Sequence, residues 1–197
     1  GLQDVPSDIR NIEGSQGLAG ALPVHSYQRG TNGIVYQQLL VELPPLSEEL
    51  LPLLPYYANS LTELGIGDMD YLAVQSLQAS TCGSINAFTT MRGAIDDEQA
   101  ISSYLVLSSK ALARNHKEQA QLMKNTFFNV RFDELPRLQE LLSQQRARRE
   151  QSVTSNGHGL AMGAASSGMS PIARLSHELS GLAGIKASKA LDKSMEQ

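Results

Sequence analysis

Cysteine and tryptophan are almost absent from this sequence. Cys82 is the only cysteine, and there is no tryptophan. A single cysteine excludes a disulfide within the chain, so the cytoplasm or an organelle matrix, both reducing, fits best. A reactive thiol would need a nearby base or a helix N-terminus. The sequence around Cys82 shows neither, which favours a buried structural thiol.

An excess of positive charge and a long apolar run are also missing. The net charge is −4 and the isoelectric point is near 5.6, which gives no electrostatic reason to expect nucleic acid or an anionic membrane as a partner. No apolar run approaches the ~20 residues of a membrane helix, and no secretory or transit signal opens the chain. The one short basic run, Arg146, Arg148 and Arg149, predicts the solvated end of a helix.

The histidines do not form a recognisable metal motif. They are His25, His116, His158 and His177. His177-Glu178 could open the zinc motif H-E-x-x-H, but the second histidine would fall on Gly181. No spacing links His158 and His177 to Cys82 as metal ligands. Nucleophile-elbow, phosphate-loop and dinucleotide motifs are absent as well, so we expect no catalytic residue, metal or cofactor in this chain.

Strand patterns dominate the first part of the chain. Val24–Tyr27 and Ile34–Leu43 flank Asn32-Gly33, which predicts a β-hairpin because these two residues accept the positive φ of a tight turn. Ser84–Met91 alternates polar and apolar residues, and Tyr104–Leu112 is rich in Leu, Val and Tyr, so each predicts a strand.

Helical patterns separate these strands and fill the end of the chain. Ser47 is expected to cap a helix with a leucine stripe that Pro52 and Pro55 would kink, and Asp68 or Asp70 to cap the next helix. Further helices are predicted after His116, after Asp133 as a cap, and after Ser170-Pro171. For the Gly- and Ala-rich stretch 155–168 the small residues recur at helical spacing, which favours a helix over a loop.

Together these elements predict an α+β fold, an antiparallel sheet with helices packed on one face and a helical C-terminal extension. We expect a lead-in over residues 1–20, a sheet domain over 21–130 and a helical part of the same domain over 131–197. The chain begins at Gly1 and not at Met, and it ends in a charged helical pattern. Both ends therefore suggest a piece of a longer protein, with ends that are either artificial or the result of natural processing.

Several segments resemble one part of the pitrilysin/insulysin zinc peptidases, most closely the third domain of the presequence proteases. The resemblance covers roughly residues 20 to 190. The segments that carry it are Thr31–Tyr36, Leu46–Pro55, Leu61–Gly65, Ser84–Thr89, Gly157-His158 and Leu175–Leu182.

Members of this family resemble a clamshell of repeated α+β halves that closes on a peptide. Only the N-terminal half carries H-x-x-E-H, with two zinc-binding histidines and a glutamate base. The resemblance places Tyr56, Asn59 and Ser60 at the equivalent positions of this chain. None is a good zinc ligand, and Asn59 cannot act as a base. The chain would then be the degenerate, non-catalytic half, and zinc would belong to the other half.

The resemblance also implies a function and partners. A degenerate half walls the peptide chamber and docks against the catalytic half, and the whole protein degrades unstructured peptides. The strand that pairs with substrate in the active half corresponds to Ser84–Met91, so Ile85, Asn86, Ala87, Phe88 and Thr89 could contact peptide; the alternative is a plain structural strand. Two copies of the fragment could also form an artefactual dimer through surfaces that the missing parts would cover.

Two other hypotheses stay open at this point. The chain could be a non-enzymatic scaffold subunit with a processing-peptidase-like fold, which would lack H-x-x-E-H in every half. It could also be an unrelated peptide-binding α+β domain, which would show a different sheet topology.

Overall fold

A computed structural model describes residues 8–13 and 21–195 of the chain, with side chains from Pro23 to Lys193. The chain divides into two compact units, Gly1–Ile34 and Val35–Gln197. Strands are β1 (Asp8–Glu13), β2 (Ala21–Ser26), β3 (Ile34–Glu42), β4 (Ser84–Gly93) and β5 (Ile101–Leu112). Helices are α1 (Leu54–Ser60), α2 (Tyr71–Thr81), α3 (His116–Phe128), α4 (Leu135–Ser155), α5 (Gly157–Ser166), α6 (Pro171–Ser180) and α7 (Leu182–Met195).

The first unit contains a two-stranded antiparallel sheet. β1 pairs with β2, with Asp8 opposite Ser26 and Glu13 opposite Ala21. The predicted hairpin between Val24–Tyr27 and Ile34–Leu43 is therefore wrong, since β2 pairs with β1 while β3 belongs to another sheet. The turn itself is present: Asn32 and Gly33 both have positive φ, 50° and 77°, and the Ile34 amide donates to the Thr31 carbonyl.

Residues 8–13 form a strand within the segment that composition predicts as a lead-in, while residues 1–7 and 14–20 lie outside the described part. The predicted boundaries at 20/21 and 130/131 stay a prediction.

The second unit is an antiparallel sheet of order β3-β5-β4 with helices against it. The core contains Ile85 of β4, Leu105 and Leu107 of β5, Val74 of α2 and Leu122 of α3, joined by Ala58 and Leu61 at α1. On the strands β3 and β4 the alternate residues Tyr36, Leu40 and Phe88 are exposed. The α+β fold with an antiparallel sheet is thus confirmed.

Local signals explain most helix starts. Asp70 is the N-cap of α2, and its carboxylate accepts from the Ala73 amide at 2.8 Å. Ser170 caps α6, with Pro171 in the first turn where its missing N–H has no cost. The glycine-rich stretch forms α5, as its spacing predicts.

Two predicted helix starts differ from the structure. The helix expected from Ser47 begins instead as turns and a 3-10 helix at Leu51–Leu53, and α1 starts only at Leu54, because Pro52 and Pro55 each favour a helix beginning. Asp133 does not cap α4 but binds Arg131. Its neighbour Glu134 reaches across the fold and accepts the amides of Gly65 at 2.6 Å and Tyr71 at 3.2 Å.

The longest helix, α4, has 21 residues and is rich in arginine and glutamine. Of the helices in the described ranges, none has both the length and the apolar character that a membrane span requires.

Candidate functional site

The three positions that resemble the family's zinc motif lie on the short helix α1. Tyr56 is buried, with 8% of its surface exposed, Ser60 is buried and Asn59 is half-buried. The Tyr56 hydroxyl donates to the Ser188 hydroxyl of α7. Between Pro23 and Lys193, no group of three His, Cys, Asp or Glu side chains is placed to hold a metal ion.

Arg149 joins Tyr56 to the C-terminal helices. Its Nη1 donates to the carbonyls of Leu179 at 3.0 Å and Gly184 at 3.4 Å, and to the Ser188 Oγ at 3.1 Å. Its guanidinium also lies over the Tyr56 ring, 5.3 Å from the ring centre, as a cation–π contact. We call Tyr56, Arg149 and Ser188 the Arg149 clasp.

An ion pair also joins helix α4 to helix α7. Arg146 Nη1 of α4 lies 2.7 Å from Oδ2 of the buried Asp192 of α7, an ion pair whose N–H does not align well with the oxygen. Oδ1 of the same carboxylate accepts from the Ser143 hydroxyl at 3.0 Å. The prediction that the basic run is a solvated helix end is therefore wrong for Arg146 and Arg149, and only Arg148 is exposed.

The predicted peptide-contact strand is β4, at one edge of the three-stranded sheet. Ile85 is buried and Ala87 packs on the core, whereas Phe88 keeps 45% of its surface exposed. Phe88 stands opposite Val106 of β5, and Asn86 opposite Ser108. The strand therefore presents one packed face and one face with apolar and amide groups.

An apolar groove of about 490 Å³ opens between the segment 46–60 and helix α4. Its lining includes Leu46, Leu50, Leu53, Tyr57, Leu138 and Leu142. None of the described lining residues is charged. Tyr57 stacks on Phe132 at its rim, with ring centres 5.6 Å apart and 14° between planes.

The described contacts of His116, His177 and Cys82 are structural ones. A His116 ring nitrogen contacts the Ala113 carbonyl at 2.8 Å, and His177 packs against Gly181, the position where a second zinc ligand would be needed. Cys82 is half-buried and its thiol donates to the Gln78 carbonyl at 3.3 Å. Burial raises the pKa of the Cys82 thiol, opposed by weaker hydrogen bonds with Ser109 and Ser84.

The α+β fold and the contact of Tyr56 with α7 can now be set beside the comparisons with known proteins. Residues 1–191 match the model of a family of domains associated with the C subfamily of pitrilysin-type peptidases, and the chain belongs to that family. The resemblance to the pitrilysin-type peptidases is thereby confirmed.

Among its relatives are presequence proteases. The chain is 24% identical over 196 residues to presequence protease 1, chloroplastic/mitochondrial, of Arabidopsis thaliana, covering 100% of this chain and 18% of that protein. It is 28% identical over 191 residues to the mitochondrial presequence protease of Danio rerio, covering 96% and 19%. It is 27% identical over 177 residues to that of Mus musculus, covering 88% and 17%. The chain therefore spans less than a fifth of the length of each of these relatives.

Sequence reasoning missed the Arg149 clasp and the apolar groove. The leucine stripe from Leu46 to Tyr57 is a visible signal for the groove, but by itself it predicts a face buried in the core. Nothing near Arg149 in sequence signals the clasp, because its hydrogen-bond acceptors lie 30 to 39 residues further along the chain and Tyr56 lies far before it.

Proposed function

We propose that this chain is a non-catalytic part of a longer zinc endopeptidase that degrades unstructured peptides. The observation that carries the proposal is the match to a peptidase-associated family over residues 1–191 in a chain that spans 18–19% of presequence proteases. The setting of Tyr56 supports it, because a buried tyrosine that bonds to Ser188 is occupied in packing and offers no metal ligand.

In this proposal the chain forms part of the wall of a peptide chamber. Phe88 on β4 and Tyr36 and Leu40 on β3 offer exposed apolar contacts, and β4 lies at the sheet edge where an extended peptide could add as a further strand. Zinc would be held by the catalytic half of the same polypeptide, which would be the main partner. The names of the relatives, chloroplastic/mitochondrial and mitochondrial, favour such an organelle as the location, and the single cysteine fits its matrix or the cytoplasm, which are both reducing.

The test compares this chain with the full polypeptide that contains it. We expect the purified chain to hold no stoichiometric zinc and to cleave no peptide, while the full polypeptide binds zinc and cleaves unstructured peptides. Zinc or activity in the chain itself would contradict the assignment of Tyr56, Asn59 and Ser60. A full polypeptide that is inert and metal-free would favour the scaffold hypothesis instead.

The β4 strand has its own test. In the full polypeptide, Phe88→Ser should weaken binding of a labelled unstructured peptide several-fold, because it removes an exposed apolar contact beside the sheet edge. Leu72→Ser, at an exposed leucine of α2, is the control and should leave binding unchanged. Equal affinity for both variants would assign β4 a purely structural role.

A further inference from the structure

We propose that the apolar groove is the docking site of an amphipathic helix supplied by another part of the same longer polypeptide. This inference rests on the proposed function only in requiring that the chain is one part of a longer protein. The groove is a different surface from the proposed peptide-chamber wall. The groove lies beside α1 and α4, whereas the proposed wall consists of the exposed residues of β3 and β4.

The spacing of the lining residues fits a helix. Leu50, Leu53 and Tyr57 follow one another at three and four residues along one side, and Leu138 and Leu142 are four apart on the other. Apolar residues at these intervals form the ridges between which a helix packs, with its own residues at i, i+3, i+4 and i+7 filling the gaps. An extended strand would instead need a free sheet edge, and the walls of this groove are helical segments and turns.

The exposure of these residues shows that the groove is unfilled by the described residues. Leu50, Leu53, Tyr57 and Phe132 are all exposed, whereas the nearby Leu61 and Leu64 are almost fully buried. A contiguous apolar surface of this kind marks an interface rather than ordinary solvent-facing surface. The absence of a charge from the described lining residues means that the contacting stripe of the partner is aliphatic or aromatic.

Charged residues beside Leu50, at one end of the groove, indicate which residues should flank the apolar stripe of the docked helix. From Val35 to Met91 the sequence contains no lysine, arginine or histidine, and Glu48 and Glu49 are exposed beside Leu50. Arg174 lies near Glu48 and partly offsets its charge, while also binding Glu178 at 2.8 Å. The group of Glu48, Glu49, Arg174 and Glu178 therefore carries a net negative charge, which a lysine or arginine beside the helix stripe would complement.

The length of the relatives favours a segment of the same polypeptide over a separate protein. More than four-fifths of each compared presequence protease lies outside the region that this chain matches. A helix on the same chain docks at a high effective concentration, so a modest groove suffices. A free partner would have to bind with the affinity of a full interface, which usually needs a larger surface.

Photo-crosslinking in the full-length polypeptide tests this assignment. A photoreactive phenylalanine, p-benzoylphenylalanine, replaces Leu50 in one variant and Leu72 in the other. The two leucines are similarly exposed, 53% and 57%, but only Leu50 lines the groove. We expect position 50 to crosslink within one polypeptide to a segment outside these 197 residues, with apolar residues three and four apart and a basic residue beside them. Position 72 should give no such product.

A stability measurement accompanies the crosslinking. In the full-length polypeptide, Leu50→Asp should shorten the half-life under limited trypsin digestion by roughly tenfold, since the docked helix would be released. Leu72→Asp should change it less than about twofold, because that leucine already faces solvent. Equal effects of the two variants would overturn the proposal.

The outcomes separate this inference from the proposed function. Crosslinks between two copies, crosslinks formed only with an added amphipathic peptide, or no product beyond that of position 72 would each overturn the docked helix and leave the peptidase assignment standing. If immunoblots of source cells show a protein of only 21.3 kDa, the longer polypeptide does not exist and both proposals fail.

Discussion

Within the second unit, the sheet region and the C-terminal helices are each stabilised by a different kind of interaction. Around β4 and β5 the core consists of fully covered apolar side chains such as Leu61, Leu64 and Leu107. By contrast, α5 has no buried residue among its described side chains and α4 has one. Arg149 and Arg146 of α4 instead contact α6 and α7. Apolar burial stabilises without regard to direction, whereas the Arg149 clasp depends on a few aligned groups. The two regions should therefore respond to different substitutions.

The largest expected effect is in the sheet core. Leu107→Ala removes a fully buried side chain and should lower the free energy of unfolding by about 2–5 kcal/mol. Urea denaturation followed by circular dichroism measures it. Leu112→Ala, at the exposed end of the same strand, is the control and should cost less than ~0.5 kcal/mol. A small loss for Leu107→Ala would contradict the tight core.

The next effect should appear only in the C-terminal helices. Arg149→Met leaves the carbonyls of Leu179 and Gly184 without this donor, which should cost about 1–3 kcal/mol. Hydrogen exchange should speed up in α6 and α7 while the amides of β5 stay protected. Arg148→Met, one residue away and exposed, should leave the exchange pattern unchanged. Equal loss of protection in α6, α7 and β5 would show that the two regions unfold as one cooperative unit.

A smaller loss is expected for the hydroxyl that joins α1 to α7. Tyr56→Phe deletes the hydrogen bond to Ser188 and keeps the ring under Arg149, so the cost should be about 0.5–1.5 kcal/mol. Combining it with Ser188→Ala in a double-mutant cycle isolates the pair. The control is Tyr57→Phe at the neighbouring exposed tyrosine, which should leave stability unchanged. If both tyrosine variants behave alike, the Tyr56 hydroxyl contributes nothing.

The smallest effect concerns the thiol at the edge of the core. Because burial raises the pKa of Cys82, less thiolate is present at neutral pH in the native chain than in the unfolded chain. Iodoacetamide should therefore react more slowly with native protein than with protein in urea, and mass spectrometry reads the single site. The raised pKa also means that the contribution of this thiol to stability is present below its unfolded pKa and falls as the pH rises through the folded value. Faster reaction of the native chain would reveal an activated thiol.

Short-range patterns predicted β4, β5, a cap at Asp68 or Asp70 and the Ser170-Pro171 start of α6 closely, because each depends on residues within one turn or one strand. The prediction of a β2–β3 hairpin is wrong although the predicted turn is present. A turn fixes local φ and ψ, but pairing depends on competing strands, and β1 is the partner that β2 takes. For the candidate site, the resemblance pointed to Tyr56 and β4 as candidates, which stay a prediction, and no sequence pattern pointed to the residues that they contact.

Periodicity and local signals in the sequence suffice for the α+β fold, whereas membership in a peptidase-associated family rests on the resemblance of several segments and on the family match over residues 1–191. The tertiary structure decided which side chains meet. Glu134 caps Gly65 and Tyr71, 69 and 63 residues away, and Arg149 reaches Ser188, 39 residues away. Contacts at such distances are set by how elements pack, and no local pattern encodes them. The apolar groove was missed for the same reason: a leucine stripe predicts a buried face, but only the packed structure shows that Leu50, Leu53 and Tyr57 stay exposed beside the other described residues.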